Sequence, residues 1–534
     1  MLKLRPIYLS LIAGFIMVIA WPPLPTAFLL FIGLVPLFFI HKQLEITRRQ
    51  HLKFWAYTYL ALLIFNTGST WWVWNASPTG CIMMLLMNSL LMSLPFVGYS
   101  LVKQVYPKWA FVAFVVFYLG FEFWHFNWNA SWPWLTLGKG FASVPFFIQW
   151  YEYTGEMGGS LLVLVVNSWI AALLLNNRFR RLWQPVVLVM LFAVLSVSRK
   201  SYILNRSAAE KPRWRDLECV ISQPNIDPYT EKFNDGEMYL YPEIQLDYAI
   251  AAAEPYMTEK TDVLLFPETA IVGYNDESEL NRLELFRPLL ELTEGNSLCI
   301  LAGAETYSTF KEKNRPTLTA RFDSLSGLWY DSYNTALLVK NKEVAEIYHK
   351  SKLVPGVEKM PFAFLEKLSI NLGGTSGSLG TNKEAANFTV GDNVKISPLI
   401  CYESVFGDYT NEFIKKGANI LAVVTNDGWW GETPGYAQHL LYGTIRCIET
   451  RREMIRSANT GVSAKIDRFG RIEQSLAYKK RGAFACKARP YSGETFYVRY
   501  GNLIGLCSAA GSLILLIVLL VKALRMRKSK TAGN

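Results

Sequence analysis

The sequence is poor in charge. Charged residues occupy 18% of its 534 positions, against roughly 25% in an average soluble protein. Hydrophobic residues make up 51%, which excludes a disordered chain and argues against a wholly soluble protein. The chain is also too long for one compact domain, because domains usually comprise ~100–200 residues.

Motifs for metal and nucleotide chemistry are absent as well. The five histidines, at positions 41, 51, 125, 349 and 439, are not paired at metal-ligand spacing. The sequence has no His-Glu-x-x-His, no Cys-x-x-Cys and no Gly-x-x-x-x-Gly-Lys motif. These absences argue against a metalloenzyme and against a nucleotide-driven pump, so we expect neither a metal nor a cofactor.

The net charge of +11 is concentrated in the apolar ends of the chain. Residues 1–198 carry 12 basic and 4 acidic side chains, and residues 501–534 carry 5 basic and no acidic ones. Residues 199–500 carry 37 basic and 39 acidic side chains. Since the positive excess accompanies the apolar segments, it does not indicate nucleic acid binding. It predicts a membrane protein with a nearly neutral soluble domain.

Long apolar runs predict eight membrane-spanning helices. A helix needs roughly 20 mostly apolar residues to cross a hydrocarbon layer ~30 Å thick. Such runs lie at about 6–22, 25–41, 54–74, 80–102, 109–128, 158–176, 182–198 and 501–521. The first run has no small-residue cleavage site at its end, so we expect a retained helix and not a signal peptide.

Basic residues in alternate connections predict the orientation of these spans. Lys and Arg lie before the first span, in the second, fourth and sixth connections, and after the last span. The first and third connections have none, and the fifth has only Lys139. Because basic loops stay in the cytoplasm, we expect cytoplasmic termini and an external central domain.

The central part of the chain has the pattern of an α/β domain. From about 215 to 490, short apolar runs alternate with charged segments of helical spacing, the latter near 237–256, 279–294 and 438–457. This alternation predicts a layered α/β domain, and a Gly-rich stretch at 373–380 predicts a flexible loop that can act as a lid. The runs typical of buried strands lie at 262–266, 298–302, 335–339, 394–400 and 419–424.

Three reactive side chains follow strand-like runs. Glu268 follows Leu-Leu-Phe-Pro, Lys350 follows Ile-Tyr-His, and Cys401 follows Pro-Leu-Ile. Sites in α/β sheets form at strand ends, so the three could converge. A glutamate can deprotonate a thiol and a lysine can stabilise an oxyanion, as acyl transfer through cysteine requires. Taken singly, the same residues also fit a helix N-cap, a surface charge and a core thiol, and their spacing leaves both interpretations open.

The motifs around these residues resemble those of the nitrilase (carbon–nitrogen hydrolase) superfamily and, within it, the bacterial apolipoprotein N-acyltransferases. The resemblance covers essentially the whole chain. Two departures occur: Gly356-Val357 stands where that family has Phe-Gly, and Gly428-Trp429-Trp430 stands where it has Ala-Trp-Phe. The matching motifs are Gln223-Pro224-Asn225-Ile226, Phe266-Pro267-Glu268-Thr269, Tyr348-His349-Lys350, Leu353-Val354-Pro355 with Glu358, Ile400-Cys401-Tyr402-Glu403, Asn426-Asp427 and Gln438-His439.

The resemblance implies a domain organisation and a set of site residues. It implies Glu268 as general base, Lys350 as oxyanion stabiliser and Cys401 as nucleophile. The supporting residues would be Glu358, Tyr402, Glu403 and Trp429. The implied organisation is a seven-span bundle at 1–198, a linker at 199–214, an extracytoplasmic nitrilase-like αββα sandwich at 215–490, a return segment with an eighth span at 491–521, and a basic cytoplasmic tail at 522–534.

The implied reaction is a ping-pong acyl transfer without a cofactor. Cys401 would take the sn-1 acyl chain of a membrane phospholipid as a thioester. The α-amino group of an N-terminal diacylglyceryl-cysteine on a lipoprotein would then accept it. The implied location is the bacterial inner membrane with the catalytic domain in the periplasm, and we expect a monomer that binds no nucleic acid.

Other functions fit some of the same residues. A membrane-anchored amidase would use the same triad with water as acceptor. A non-catalytic lipoprotein-binding membrane protein would use the triad residues only for structure. A transporter fits the number of spans, but it leaves the large external domain without a role. We therefore expect the acyltransferase.

Overall fold

The computed structural model describes residues 4–45, 49–209, 213–233, 236–359 and 378–531. The chain forms two compact units. One comprises Met1–Trp71, Pro78–Ser201 and Tyr500–Asn534, and the other comprises Trp72–Ser77 and Tyr202–Arg499. Most of the Gly-rich stretch at 373–380 lies outside the described residues, so its role as a lid stays a prediction.

The first unit is helical. Among the residues that the structure describes, each of the eight predicted spans contains a helix. A helix satisfies its own backbone hydrogen bonds, as a segment that crosses lipid must. The bounds of the helices are Pro6–Ile19, Leu30–Gly33, Val35–Leu44, Gln50–Thr70, Pro78–Val105, Ala110–Asn127, Tyr151–Thr154, Glu156–Leu175, Trp183–Ala209 and Leu503–Thr531.

Six stretches within the described ranges are long and apolar enough to cross a membrane. The first predicted span is a shorter helix of 14 residues, and the third is the helix Gln50–Thr70. The chain is thus a membrane protein, while the total of eight spans stays a prediction. The six stretches are Ala27–Leu44, Pro78–Val105, Pro107–Asn127, Glu156–Leu175, Phe179–Arg206 and Leu503–Met526.

The second unit contains two β-sheets. The first sheet has the order β14-β1-β2-β4-β6-β5, with β3 beside β4 and β7 beside β6, and the second has the order β13-β12-β11-β10-β9-β8. The strands are β1 Leu217–Gln223, β2 Val263–Leu265, β3 Ile271–Asp276, β4 Cys299–Phe310, β5 Arg321–Asp323, β6 Leu328–Lys340, β7 Glu343–His349, β8 Phe388–Val390, β9 Val394–Ile400, β10 Ile420–Thr425, β11 Met454–Ala458, β12 Ser463–Ile466, β13 Ile472–Leu476 and β14 Gly482–Ala488.

Helices accompany both sheets of this unit. Pro242–Ala253 and Arg287–Leu292 share one hydrophobic core with the first sheet. The two sheets contact each other where Ser457 Oγ in β11 donates to the carbonyl of Ser222 in β1 at 2.6 Å. The prediction of an α/β domain is therefore confirmed. The other helices are Val73–Ala76, Gly407–Lys415, Pro434–Thr450 and Phe496–Tyr500.

Both sheets have a parallel centre. Strands β1, β2 and β4 run parallel in the first sheet, and β9, β10 and β11 run parallel in the second. Parallel neighbours bring their carboxyl ends to the same edge of a sheet, which is where open α/β sheets form their sites. We therefore expect the functional side chains in the segments that follow β2, β9 and β10.

Two of the predicted helical segments differ from the structure. The helix predicted at 438–457 is wrong beyond Thr450, because Arg451 adopts a left-handed φ of 53° and Met454–Ala458 forms β11. A strand that is buried on both faces has no alternation, so periodicity cannot separate it from a buried helix. The segment at 279–294 contains only one α-helix, Arg287–Leu292, after two short 3₁₀-helices.

Candidate active site

Cys401 lies at the sharp turn that ends β9. Its φ of 49° is left-handed, which is uncommon for a residue other than glycine and marks a constrained position. The chain then enters a 3₁₀-helix, Cys401–Val405. The side chain is 7% exposed, so the turn holds the thiol almost entirely within the domain.

Glu268 follows β2 and is held through both carboxylate oxygens. Oε1 accepts hydrogen bonds from Lys350 Nζ at 3.0 Å and from Asn334 Nδ2 at 2.8 Å. Oε2 accepts from the backbone N–H of Asn426, just after β10, at 3.0 Å. The turn packs closely on β4, where a Cβ at Gly303 would lie 2.6 Å from the Cα of Glu268. The carboxylate is thus fixed in position and orientation.

Lys350 lies between two glutamates. Its Nζ donates to Glu268 Oε1 at 3.0 Å and to Glu358 Oε1 at 2.7 Å. Burial opposes the charge on Lys350, but the two carboxylates outweigh it and hold the lysine pKa well above its ordinary value. The ammonium therefore stays charged in the interior of the domain.

Glu358 reaches Lys350 through a tight turn. Its Oε2 accepts from the backbone N–H of Val354 at 2.8 Å. Gly356 adopts a φ of 85° in this turn, and its N–H donates to the carbonyl of Lys359 at 2.7 Å. The Gly356-Val357 departure from the family pattern thus leaves a glutamate in contact with Lys350.

Asn334 is a site residue that the sequence analysis missed. It belongs to β6, and its Nδ2 donates to Glu268 Oε1 at 2.8 Å and to Glu358 Oε1 at 3.1 Å. Its carbonyl accepts from the backbone N–H of Lys350 at 2.8 Å. The available signal was an amide side chain directly before the apolar run at 335–339, at a strand position where a buried polar group needs a partner.

Glu403 joins the two segments that carry Lys350 and Cys401. Oε2 accepts from the backbone N–H of Ile400 at 2.8 Å, and Oε1 accepts from that of Ser351 at 2.6 Å and from Tyr348 OH at 2.7 Å. Burial raises the pKa of this carboxyl to about 7. The family resemblance implied a supporting role for Glu403, which contacts Tyr348 and the backbone next to Lys350 and Cys401.

The two predicted aromatic residues lie in different surroundings. Trp429 is half-buried and stacks on Phe233, with ring centroids 5.6 Å apart, while Tyr229 meets its edge at 5.3 Å. Tyr402 is buried and packs edge-on against Phe406 at 5.1 Å. Trp429 therefore belongs to an aromatic cluster that the sequence motifs did not indicate.

The electrostatics of the site favour a protonated thiol at rest. Burial and the Glu268 carboxylate raise the pKa of Cys401 well above its ordinary value, and Lys350 opposes this rise. A thiol in this state needs a base at the moment of attack. Within the described ranges, no group of three or more His, Cys, Asp or Glu side chains is placed to hold a metal ion.

Two protein families match the two parts of the chain. The carbon–nitrogen hydrolase family matches residues 211–499, which is more than half of the chain. The chain belongs to this family. The N-terminal domain of apolipoprotein N-acyltransferases matches residues 13–169, so the resemblance inferred from the motifs is confirmed.

Named relatives of this member of the carbon–nitrogen hydrolase family match almost its whole length. The apolipoprotein N-acyltransferase of Chlorobaculum tepidum is 28% identical over 519 residues and covers 94% of both chains. That of Thermotoga maritima is 26% identical over 554 residues, covering 99% of this chain and 95% of its own. A solved amidase of the nitrilase superfamily from Nesterenkonia AN1 aligns with 54% of this chain and 95% of its own, at 16% identity and a TM-score of 0.34.

Proposed function

We propose that this protein is a membrane-bound N-acyltransferase that carries its acyl group as a thioester on Cys401. The observation that supports this most directly is the buried ion pair of Lys350 and Glu268, 3.0 Å apart, whose charges act on the Cys401 thiol. Relatives named apolipoprotein N-acyltransferases match the chain over nearly its full length. The membrane-spanning helices fit substrates that are themselves held in a bilayer.

In the first half-reaction the acyl donor is a membrane phospholipid. The Cys401 sulfur attacks the carbonyl carbon of the sn-1 ester while Glu268 takes the thiol proton. The charge that develops on the carbonyl oxygen is stabilised by the Lys350 ammonium. When the tetrahedral intermediate collapses, the C–O bond breaks and the lysophospholipid leaves with the proton held by Glu268. The acyl chain remains on sulfur.

In the second half-reaction the acceptor is the neutral α-amino group of a diacylglyceryl-cysteine at a lipoprotein N-terminus. Its nitrogen attacks the thioester carbonyl and gives a proton to Glu268. The C–S bond then breaks, and the proton returns to Cys401. The same base thus serves both halves, and the enzyme ends in its starting protonation state.

The buried charges suit this sequence of steps. Lys350 keeps its proton because Glu268 and Glu358 both contact it, so it supplies positive charge and not a proton. Both glutamates are also held by hydrogen bonds from Asn334 Nδ2. A preorganised charge of this kind needs no rearrangement when the oxyanion forms, which is the main source of rate enhancement in many enzymes.

The location follows from the charges of the connections. Basic residues mark the alternate connections that stay in the cytoplasm, and we infer that residues 215–490 lie on the periplasmic side of a bacterial inner membrane. Both substrates are lipid-anchored, so an enzyme in the same membrane meets them by lateral diffusion at a raised effective concentration. A monomer is sufficient, since Glu268, Lys350 and Cys401 come from one chain.

The test is the intact mass of the purified protein after incubation with phospholipid alone. We expect a hydroxylamine-sensitive gain of one acyl chain in the wild type and none in Cys401→Ala. A diacylglyceryl-cysteine peptide added afterwards should remove the acyl chain and become N-acylated. Loss of the acyl chain to water at the same rate with and without the peptide would instead indicate a membrane-anchored hydrolase.

The absence of any adduct would count against the thioester. Alkylation of Cys401 separates the two possible reasons for such a result. A reactive Cys401 that forms no adduct with any phospholipid would point to another acyl donor, such as a small amide. An unreactive Cys401 in a folded protein would favour a non-catalytic binding role.

A further inference from the structure

A second buried polar network lies next to the turn that carries the nucleophile and takes no part in the chemistry above. It consists of Asp427, His439 and Arg456, whose side chains are each 0% exposed. Asp427 Oδ1 lies 2.8 Å from His439 Nδ1, and Asp427 Oδ2 accepts from Arg456 Nη2 at 2.6 Å. Buried charge of this kind contributes little to stability relative to an apolar core, so its position within the domain calls for another explanation.

This network contacts the turn that carries the nucleophile. His439 Nε2 lies 3.1 Å from the carbonyl oxygen of Cys401 and 3.0 Å from Ser404 Oγ. Ser404 Oγ also lies 2.8 Å from the same carbonyl oxygen. The imidazole therefore packs against the Cys401–Ser404 turn. This is also the place where Cys401 has its left-handed φ of 49°.

The order Ser404, His439, Asp427 is that of a serine hydrolase triad, but its burial excludes that role. All three side chains are 0% exposed, so no substrate carbonyl can reach Ser404 Oγ. In a triad, Nε2 of the histidine faces the serine and the reacting group. Here His439 Nε2 lies 3.1 Å from a backbone carbonyl oxygen, that of Cys401. The arrangement fits the support of a turn and not a second nucleophile.

The same aspartate also leads to the general base. Asp427 Oδ1 accepts from Thr425 Oγ1 at 3.0 Å at the end of β10. The residue between them, Asn426, donates its backbone N–H to Glu268 Oε2 at 3.0 Å. One carboxylate thus fixes the tripeptide 425–427, which contacts the base through the Asn426 N–H, and also holds the imidazole beside the Cys401 turn.

We propose that Asp427 and His439 are positioning residues that keep the Cys401 thiol aligned with Glu268 and Lys350. Asp427 acts through the Asn426 amide on the base, and His439 acts through Ser404 on the turn that carries the nucleophile. This inference rests on the proposed function where the acyl-transfer reaction is concerned. The reactivity of the Cys401 thiol tests the inference without any lipid.

The imidazole is uncharged in this setting. Burial, together with the nearby Arg456 guanidinium, lowers the pKa of His439 below its ordinary value. Because the Asp427 carboxylate can only accept, the single N–H of the neutral imidazole lies on Nδ1 and donates to Asp427 Oδ1, and Nε2 accepts from the Ser404 hydroxyl at 3.0 Å. The contact needed at the turn is therefore made by an atom at the position of Nε2.

Two amide substitutions at one position separate this role from a general structural one. In His439→Gln the side-chain amide reaches the position of Nε2 and can donate or accept there. In His439→Asn the amide reaches only the position of Nδ1, so it keeps the Asp427 contact and loses the contact with Ser404. The two variants have similar polarity and differ by one methylene group, so each is the control for the other.

The readouts are the rate at which iodoacetamide alkylates Cys401, followed on its own peptide by mass spectrometry, and the single-turnover rate of acyl-enzyme formation. Misplacement of a reacting group by about 1 Å can cost on the order of 10²-fold in rate, so we expect a loss approaching this size in His439→Asn for both readouts. His439→Gln should keep most of the wild-type rates. Equal rates in the two variants, or rates that simply follow the folded fraction measured by thermal unfolding, would overturn the proposal.

Ser404→Ala is a second variant in case His439→Asn does not fold. It removes one of the two side-chain contacts with the Cys401 carbonyl and leaves no buried charge unpaired. We expect a smaller loss in the same two rates, and wild-type rates would overturn the proposal. Alkylation that responds to these substitutions in a protein that forms no acyl-enzyme would support the positioning role and reject the acyltransferase. Acyl transfer at the wild-type rate in these variants would support the acyltransferase and reject the positioning role.

Discussion

Lys350 Nζ and Glu268 Oε1 lie 3.0 Å apart in a buried ion pair. This contact helps to keep Lys350 charged before any substrate arrives, because the Glu268 and Glu358 carboxylates outweigh the effect of burial and hold the pKa of the lysine well above its ordinary value. The thiol beside them stays protonated, since burial raises the pKa of Cys401. The resting site is thus arranged so that proton transfer accompanies attack on the substrate and does not precede it.

Replacement of Lys350 by Met should abolish acyl-enzyme formation and destabilise the domain. It leaves the Glu268 and Glu358 carboxylates buried without a cation, and breaking such a pair typically costs about 3–5 kcal/mol. The measurements are intact mass after incubation with phospholipid and the free energy of unfolding in denaturant. Acyl-enzyme at the wild-type rate in a folded Lys350→Met variant would contradict the role of the ammonium.

Lys342→Met is the matched control for that substitution. Lys342 forms an ion pair of 2.7 Å with Glu294, but the two side chains are 52% and 57% exposed. Exposed pairs contribute about 0–1 kcal/mol. We therefore expect Lys342→Met to acylate normally and to unfold close to the wild-type denaturant concentration.

Replacement of Asn334 by Asp should slow acylation and change its pH dependence. The new carboxylate has the same shape but cannot donate to Glu268 or Glu358, and each lost hydrogen bond to a charged group is worth about 1.5–3 kcal/mol. Three carboxylates around one lysine also repel one another, so one of them should bind a proton more tightly than in the wild type. We expect at least a roughly tenfold loss of rate at neutral pH.

The control for this substitution is Asn387→Asp. Asn387 Nδ2 donates to the carbonyl of Phe413 and touches neither glutamate. The rate of acyl-enzyme formation should be measured across the pH range for both variants. A profile for Asn334→Asp that has the wild-type shape, with only a lower plateau, would mean that the asparagine does not influence the protonation of the site.

Glu403 should make stability fall as the pH rises. Burial raises its pKa in the folded protein from 4.5 to about 7, so the folded state binds a proton more tightly than the unfolded state does. Its favourable contribution is fully present below pH 4.5 and is lost as the pH rises to about 7. The measurement is the difference in unfolding free energy between the wild type and Glu403→Gln as a function of pH.

We expect the unfolding free energy of the wild type to fall relative to that of Glu403→Gln between pH 4.5 and about pH 7, and the difference to stay constant at higher pH. Glutamine keeps the shape of the side chain and one of its acceptors for the N–H groups of Ile400 and Ser351. A difference that does not change with pH would show that Glu403 binds its proton equally tightly in the folded and unfolded states. Asp323→Asn is a surface control, since Asp323 makes only local contacts within its own turn.

Much of the site was predictable from the sequence because strand ends can be read from it. Glu268 and Cys401 follow apolar runs that are strands in the structure, β2 and β9. Lys350 follows β7 in the same way. The family motifs added Glu358 and Glu403, whose partners lie in other segments. Local patterns did not predict Asn334. Its place in a strand depends on the length of β6, which is set by the pairing of β6 with β4 from Ile300–Val339 to Phe310–Trp329.

Tertiary contacts also explain the parts of the fold that were predicted wrongly. The apolar spacing at 438–457 continues through a helix into a buried strand, and the change of structure depends on the left-handed Arg451. The stacking of Phe233 on Trp429 joins residues almost 200 positions apart. Contacts of this kind are set by tertiary packing, which leaves no periodic signal in a single sequence.

The turn at Gly356 allows a last prediction about the departure from the family motif. Its φ is 85°, and a Cβ at this position would meet no atom within 4 Å. Gly356→Ala therefore has room for its methyl group but strains the backbone by about 1–2 kcal/mol. Relief of that strain should shift the turn that holds Glu358 against Lys350, so we expect slower acyl-enzyme formation together with a modest loss of stability.

Gly295→Ala separates these two effects. Gly295 also has a left-handed φ, 70°, and open space around its Cβ position, but it lies in a turn before β4. Both substitutions should lower the unfolding free energy by similar amounts, whereas only Gly356→Ala should slow acylation. Equal rates in the two variants would mean that Glu358 stays in place without help from the glycine, and that the Lys350 contact is held by the Val354 N–H and Asn334 alone.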